Sequence, residues 1–216
     1  KELTLIKRSL DARHKDDIHY VCSAALSVSG DERRVIARVK SPDVCEYTPP
    51  EYSVARVSPG EGAPRPVIAG FGPAGMFAAL VLSMAGARPI VIERGRDALS
   101  RKAAVDAFRA GGALDTECNV QFGEGGAGTF SDGKLNTGTH DARLFWVLRQ
   151  FYAHGAPESV LYDAKPHIGT DILIDVVQRI RADVIARGGE VRISTKLERL
   201  VIENGALTGV AVRDAQ

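Results

Sequence analysis

The chain has 216 residues, with 28 Lys and Arg against 27 Asp and Glu, a formal charge of +1. That balance argues against a nucleic-acid or anionic-membrane partner, and 44% hydrophobic with 25% charged residues argue against general disorder. No run approaches the roughly 18 apolar residues of a membrane span, and three separated cysteines (Cys22, Cys45, Cys118) argue against a disulfide framework and for a reducing, cytoplasmic setting.

The chain opens Lys1-Glu2-Leu3 and ends at Gln216 just after a strand-like run, so it reads as a fragment. Residues 2–6 and 19–28 read as strands, the second with Tyr20, Cys22 and Ala24 alternating in side from Val21 and Ala25. Residues 31–40 read as a helix: Val35, Ile36 and Val39 share a face, Ser29 or Asp31 can cap it, and Pro42 stops it. Five prolines and two glycines between residues 49 and 66 then form a stiff, irregular connection. This predicts a small α+β domain with its linker over residues 1–62 and an α/β domain over residues 63–216.

From residue 67 the pattern alternates β and α. Residues 67–69 read as a buried strand with no polar face, as a parallel sheet needs. Residues 73–85 read as a helix with Met76, Phe77, Leu80, Val81 and Met84 on one side, and residues 89–93 as a second buried strand. Further helices are expected over 101–110, 141–154 and 171–187. The last carries Leu173, Val176, Val177, Ile180 and Val184 on one face, with Thr170 as its cap. Residues 191–194 read as a strand, and 197–203 with 206–212 as a hairpin through Asn204-Gly205.

The sharpest motif is Gly-x-Gly-x-x-Gly at Gly70, Gly72 and Gly75, directly after a strand and opening a helix. Gly70 permits the tight turn, Gly72 lets backbone approach a pyrophosphate, and Gly75 lets helix and strand pack closely. Uncapped amides and the positive dipole end then face the phosphates, and Pro73 loses nothing at the first helical position. Glu93 closes the second strand, 23 positions after Gly70, where an acidic side chain can accept from ribose hydroxyls. Together these point to dinucleotide binding, against a plain strand-to-helix turn with a coincidental glutamate.

A second cluster puts five glycines (123, 125, 126, 128, 133) into eleven positions, bracketed by Phe122 and Leu135. Such a segment suits close backbone approach to a flat or anionic ligand, and favours FAD over NAD. With so few side chains to bury, its ordering is expected to depend on that ligand. A flexible surface loop is the competing reading. In a third piece, Ala164 to Asp171, Lys165 and His167 could meet a substrate or flavin edge, or the segment could merely cap the next helix. No His, Cys and acidic set has metal-ligand spacing, so no metal is expected. There is no Cys-x-x-Cys for a flavin-linked disulfide and no Gly-x-Ser-x-Gly for a serine hydrolase. Cys118 reads as an inert buried thiol and Trp146 as a packing residue.

The runs 66–94, 119–135 and 165–171 together resemble the uncharacterised FAD-dependent dehydrogenases known as "NAD(FAD)-utilizing dehydrogenase", over most of residues 64–216. The string Gly-Glu-Gly-Gly-Ala-Gly-Thr-Phe-Ser-Asp-Gly-Lys-Leu is its most specific part, and Arg8-Ser9-Leu10-Asp11-Ala12-Arg13 is similar to the family's N-terminal domain. The resemblance implies a Rossmann-like FAD domain of the glutathione-reductase type, three-layered, with a parallel sheet and a β-hairpin. A small ferredoxin-like α+β domain would precede it, and both would be incomplete.

It also implies roles. Gly70, Gly72, Pro73, Ala74 and Gly75 would hold the FAD pyrophosphate, Glu93 the adenosine ribose, Arg94 the adenine side and Arg101 the pyrophosphate side. Gly125, Gly126, Ala127, Gly128 and Thr129 would pass along the ribityl chain and flavin ring, and Leu197 would meet adenine through its backbone. NAD(P)H is a candidate electron donor, the small-molecule substrate is open, and no catalytic acid or base stands out. Two other readings stay open: an NAD-dependent dehydrogenase without its substrate domain, and a non-catalytic flavin-binding or interaction module.

Overall fold

The computed structural model describes residues 3–135 and 141–214; Glu2 of the first expected strand and His140 lie outside the described residues. In chain order come strands β1 (Leu3–His14) and β2 (Asp17–Leu26), helix α1 (Glu32–Val39), β3 (Val67–Ala69), α2 (Pro73–Ala85), β4 (Ile90–Ile92) and α3 (Ala98–Arg109). Helices α4 (Ala142–Ala153) and α5 (Thr170–Ala186) follow, then β5 (Glu190–Arg192), β6 (Thr195–Glu203) and β7 (Ala206–Asp214). Short 3-10 turns span Ala127–Phe130 and Glu158–Leu161. The architecture is mixed α/β, with one parallel sheet in the order β3-β4-β5 and two antiparallel pairs, β1-β2 and β6-β7.

The chain forms two compact units. The first comprises Lys1–Tyr52, Lys134–Ala153 and Pro157–His167; the second comprises Ser53–Gly133, His154–Ala156 and Ile168–Gln216. In the first unit β1 runs well past the expected residue 6, pairing with β2 from Leu3↔Leu26 to His14↔Asp17. Its second half is largely solvated, with Leu10 and Ala12 both exposed. A parallel bridge joins Arg8 to Asp163: Arg8 N–H donates to the Tyr162 carbonyl (2.7 Å) and Ala164 N–H to the Arg8 carbonyl (2.9 Å). The Arg8 guanidinium clasps the Asp163 carboxylate at 2.7 and 3.0 Å, between the rings of Tyr20 and Tyr162. Of the two expected caps for α1, Asp31 takes the role, accepting from Arg34 N–H. The sheet here has two strands among the described residues. Trp146 packs edge-on against Tyr52, ring centres 5.6 Å apart.

The second unit holds the larger core. Helix α5 buries Leu173, Val176, Val177, Ile180 and Val184 as its periodicity predicts, adds Ile174, and packs against α2 and α3. It starts at Thr170 itself, so Gly169 is the N-cap and Thr170 is not the side-chain cap expected. Helix α2 matches its expected limits but not its expected face. Met76, Ala79, Leu80, Ser83 and Ala85 are buried, while Phe77, Val81 and Met84 are only half covered. A helix apolar all round has no clear moment, so small residues can turn inward where neighbours approach closely. Strand β3 is also not the buried strand expected: among the described residues it lies at the sheet edge, paired with β4 alone, and Val67 is 43% exposed. The β6-β7 hairpin turns at Asn204 (φ 50°) and Gly205 (φ 78°), the positive pair that a two-residue turn requires. Residues 41–66 carry no regular element, though Val57 N–H is tied to the Ala85 carbonyl (2.8 Å). Cys118 is buried, Cys22 and Cys45 exposed.

Candidate functional site

Because β3, β4 and β5 are parallel, their carboxyl ends share one edge, the place where open α/β sheets bind ligands. The chain leaves β3 at Gly70, whose N–H donates to the Ile92 carbonyl (2.7 Å). It then enters α2 through Gly72, the N-cap, with Pro73 at the helix start. No side chain caps this helix, so its first-turn amides and dipole stand open at the strand ends. A Cβ on Gly75 would lie 2.0 Å from the Gly70 carbonyl oxygen, so this contact excludes any side chain. A Cβ on Gly72 would meet only the Gly126 Cα, at 3.8 Å.

The second glycine cluster comes to this same place. Gly125 N–H donates to the Phe71 carbonyl (2.9 Å), joining the two segments through backbone. A Cβ on Gly126 would approach the Gly72 Cα at 3.0 Å and Pro73 Cδ at 3.1 Å. Gly123 to Gly126 are buried, Ala127 is exposed, Gly128 is partly covered and Thr129 is buried in the 3-10 turn.

Two charged side chains hold the cluster in position. Arg101, on α3 and fully buried, donates to the carbonyls of Asn119 (2.8 Å), Val120 (2.7 Å), Gly123 (3.3 Å) and Glu124 (2.7 Å). Its guanidinium also lies over the Phe130 ring. Burial pulls Arg101 below its usual pKa, opposed by the carboxylates of Glu93 and Glu124. Glu124, also fully buried, accepts from Ala98 N–H at the start of α3 (2.7 Å) and from Arg181 of α5 (3.1 Å). Burial pushes its carboxyl up, and the Ala98 amide and Arg181 draw it back. The chain thus supplies braces of its own to this segment, through Arg101 and Glu124.

The remaining candidates are placed as follows. Glu93 is buried, one carboxylate oxygen accepting from Phe71 N–H (2.8 Å) and the other from Gly95 N–H (2.8 Å), which ties the end of β4 to the first glycine turn. Arg94 pairs with Glu117 (2.7 Å) and covers the Phe122 ring at 3.9 Å. Glu117 also accepts from Lys196 (3.1 Å), and these two cations hold its carboxyl below the usual range. Leu197 is half-buried on β6, two residues after Thr195, whose N–H donates to the Glu93 carbonyl (2.8 Å). Arg101 is engaged by chain carbonyls. Lys165 and His167 belong to the first unit.

Sequence reasoning missed Glu124 and Glu117. A lone acidic residue inside a glycine string was the available sign of the first. Three buried oxygens have no partner among the described residues: Ser83 Oγ, Glu124 Oε1 and Thr129 Oγ1. No three His, Cys, Asp or Glu side chains among the described residues could hold a metal ion, and none of the described helices is long and apolar enough to cross a membrane.

No protein-family model matches the chain. It is 43% identical over 210 residues, 97% of its length, to an uncharacterised protein of Clostridium beijerinckii (strain ATCC 51743 / NCIMB 8052). The matched region is 39% of that relative, so the chain spans about two fifths of its length.

Proposed function

We propose that the second unit is a Rossmann-like FAD-binding domain and that the chain is part of a cytoplasmic, FAD-dependent oxidoreductase. One observation carries the reading: two glycine-rich segments some fifty residues apart meet backbone to backbone at the carboxyl edge of a parallel sheet, against an uncapped helix start. An ordinary strand-to-helix turn needs only the first segment.

The residues suit the group. Gly72, Pro73, Ala74 and Gly75 would turn amides and the α2 dipole toward the pyrophosphate. The room above Gly72, where a Cβ meets nothing closer than 3.8 Å, is space a phosphate can use. Ala127, Gly128 and Thr129 would run along the ribityl chain, and Thr129 Oγ1 is a buried oxygen still without a partner there. Glu93 keeps two of its roughly four lone-pair positions after accepting two amides, so a ribose hydroxyl can share it. Bound FAD would supply hydride or electron transfer with an organic substrate, NAD(P)H being the candidate donor. The chain's own part is to hold the dinucleotide and keep water from its phosphates.

Flavin absorbance and acid-released FAD, measured on the purified chain and on the longer protein, test this. FAD near one per chain is expected, with Gly72→Val lacking it while its circular dichroism stays unchanged. NADH binding by a flavin-free protein would replace this reading with the NAD one.

A further inference from the structure

Among the described residues β2 is an edge strand: β1 pairs with one side of it, and residues 162–164 take the other side of β1. The direction of its backbone groups follows from Arg8. The Arg8 N–H and C=O are bonded to Tyr162 and Ala164, so they point away from β2, and Arg8↔Cys22 is a non-hydrogen-bonded pair. Cys22 therefore turns its own N–H and C=O away from β1, onto the open edge. Backbone direction alternates along a strand, so Tyr20 and Ala24 do the same.

The side chains at these alternate positions share one face of the hairpin. That face is apolar and solvated: Ile18, Tyr20 and Leu26 are 59%, 61% and 62% exposed, and Leu10, paired with Tyr20, is 61% exposed. Edge strands are ordinarily guarded by Lys, Pro or inward charges. The stretch Asp17–Leu26 has no Lys, Arg or Pro, and its one carboxylate, Asp17, stands at its end. Strand β1, which is paired on both sides, carries Lys7, Arg8, Asp11 and Arg13. The charge is thus on the satisfied strand and absent from the open one.

The open strand is complementary to itself. Laid antiparallel against a second β2 about Cys22, it sets Ile18 opposite Leu26 and Tyr20 opposite Ala24, and outward amides meet outward carbonyls. No charged side chain opposes a like one, and the apolar face runs on across the junction. We propose that β2 is the contact edge of a two-fold dimer of this chain, joined as a four-stranded antiparallel sheet with Cys22 at the axis. The inference needs no flavin and stands whether or not the second unit binds FAD.

Sedimentation of the purified chain over a concentration series tests it, with a mass of two copies expected that falls to one on dilution. Cys22→Lys places like charges opposite each other at the axis and is expected to weaken the dimer at least about tenfold. Cys22→Pro gives a second test, because it removes an N–H that points outward and spares the pairing with β1. Lys15→Gln, at the hairpin turn, leaves association unchanged. Cα atoms of a hydrogen-bonded pair lie about 5.5 Å apart, within disulfide reach. Oxidation with copper-phenanthroline is therefore expected to link the two Cys22 sulfurs, with the link lost in Cys22→Ser and kept in Cys45→Ser. A chain that stays monomeric throughout, or a dimer unaffected by a folded Cys22→Lys or Cys22→Pro variant, overturns the proposal. Slow amide exchange at Tyr20 and Cys22 in a monomeric longer protein also overturns it, assigning the edge to another strand of that protein.

Discussion

The two glycine-rich segments reach the same edge of the sheet by opposite means. Residues 70–75 contain no charged side chain and are set by contact: Gly75 lies so close to the Gly70 carbonyl that no Cβ fits, and Glu93 pins the turn from the neighbouring strand. Residues 119–130 are set by charge, wrapped round the buried Arg101 and anchored through the buried Glu124. A backbone that must offer its amides to a ligand can be held by packing where strand and helix already converge. Where it crosses open space between elements, it needs a donor-rich side chain to collect its carbonyls.

The sharpest way to break that contrast is Arg101→Leu. Four carbonyls, two of them buried, would lose their donor at once, and a loss on the order of 4 kcal/mol is expected by chemical denaturation. A loss below about 1 kcal/mol would mean the second segment is held otherwise. In the first segment Gly75→Ala is expected to cost about 3 kcal/mol by overpacking, since its Cβ would sit 2.0 Å from an oxygen.

Glu124→Gln separates charge from hydrogen bonding in the second segment. Gln still accepts from Ala98 N–H and gives up the charged pairing with Arg181, but it also removes the burial penalty on the carboxylate, so a change of less than about 1 kcal/mol is expected near neutral pH. Burial raises the folded-state pKa of Glu124. Its contribution is therefore complete below the unfolded carboxyl value and is lost as pH rises through the raised folded value. Denaturation at a series of pH values should show that fall in the wild type and its absence in Glu124→Gln.

The smallest effect sharpens the comparison most. Gly72→Ala, two positions past Gly70 in the same turn, is expected to change stability by less than about 0.5 kcal/mol because its Cβ meets nothing closer than 3.8 Å. It should nonetheless lower FAD content, as a methyl group would stand where the phosphates approach. Lost stability would make Gly72 a packing residue like Gly75.

Where local chemistry decides, the sequence was legible. The limits of α2, the buried face of α5 and the turn at Asn204-Gly205 all follow from residues a few positions apart, while the α1 cap was narrowed to Ser29 or Asp31. The glycine spacing at 70, 72 and 75 likewise foretold a strand-to-helix turn. Misreadings fell where periodicity and burial part company: β1 extends through a largely solvated stretch that exposes Leu10, and α2, apolar all round, points Ser83 inward and leaves Phe77 half covered. The interleaving of the two units, with residues 134–153 and 157–167 returning to the first, has no signature in composition.

The sequence by itself determined most of the elements, the Asn204-Gly205 turn and the presence of two glycine-rich segments, because propensity, period and backbone sterics act over a few residues. Only the tertiary structure decided that those segments touch, that Arg101 and Glu124 spend their charges bracing one of them, that Glu93 ties β4 to the other, and that Arg8 comes to stand beside Asp163. Those pairings span from two to more than fifty positions of chain. They are chosen by which buried donor can reach which acceptor once the helices and strands have packed.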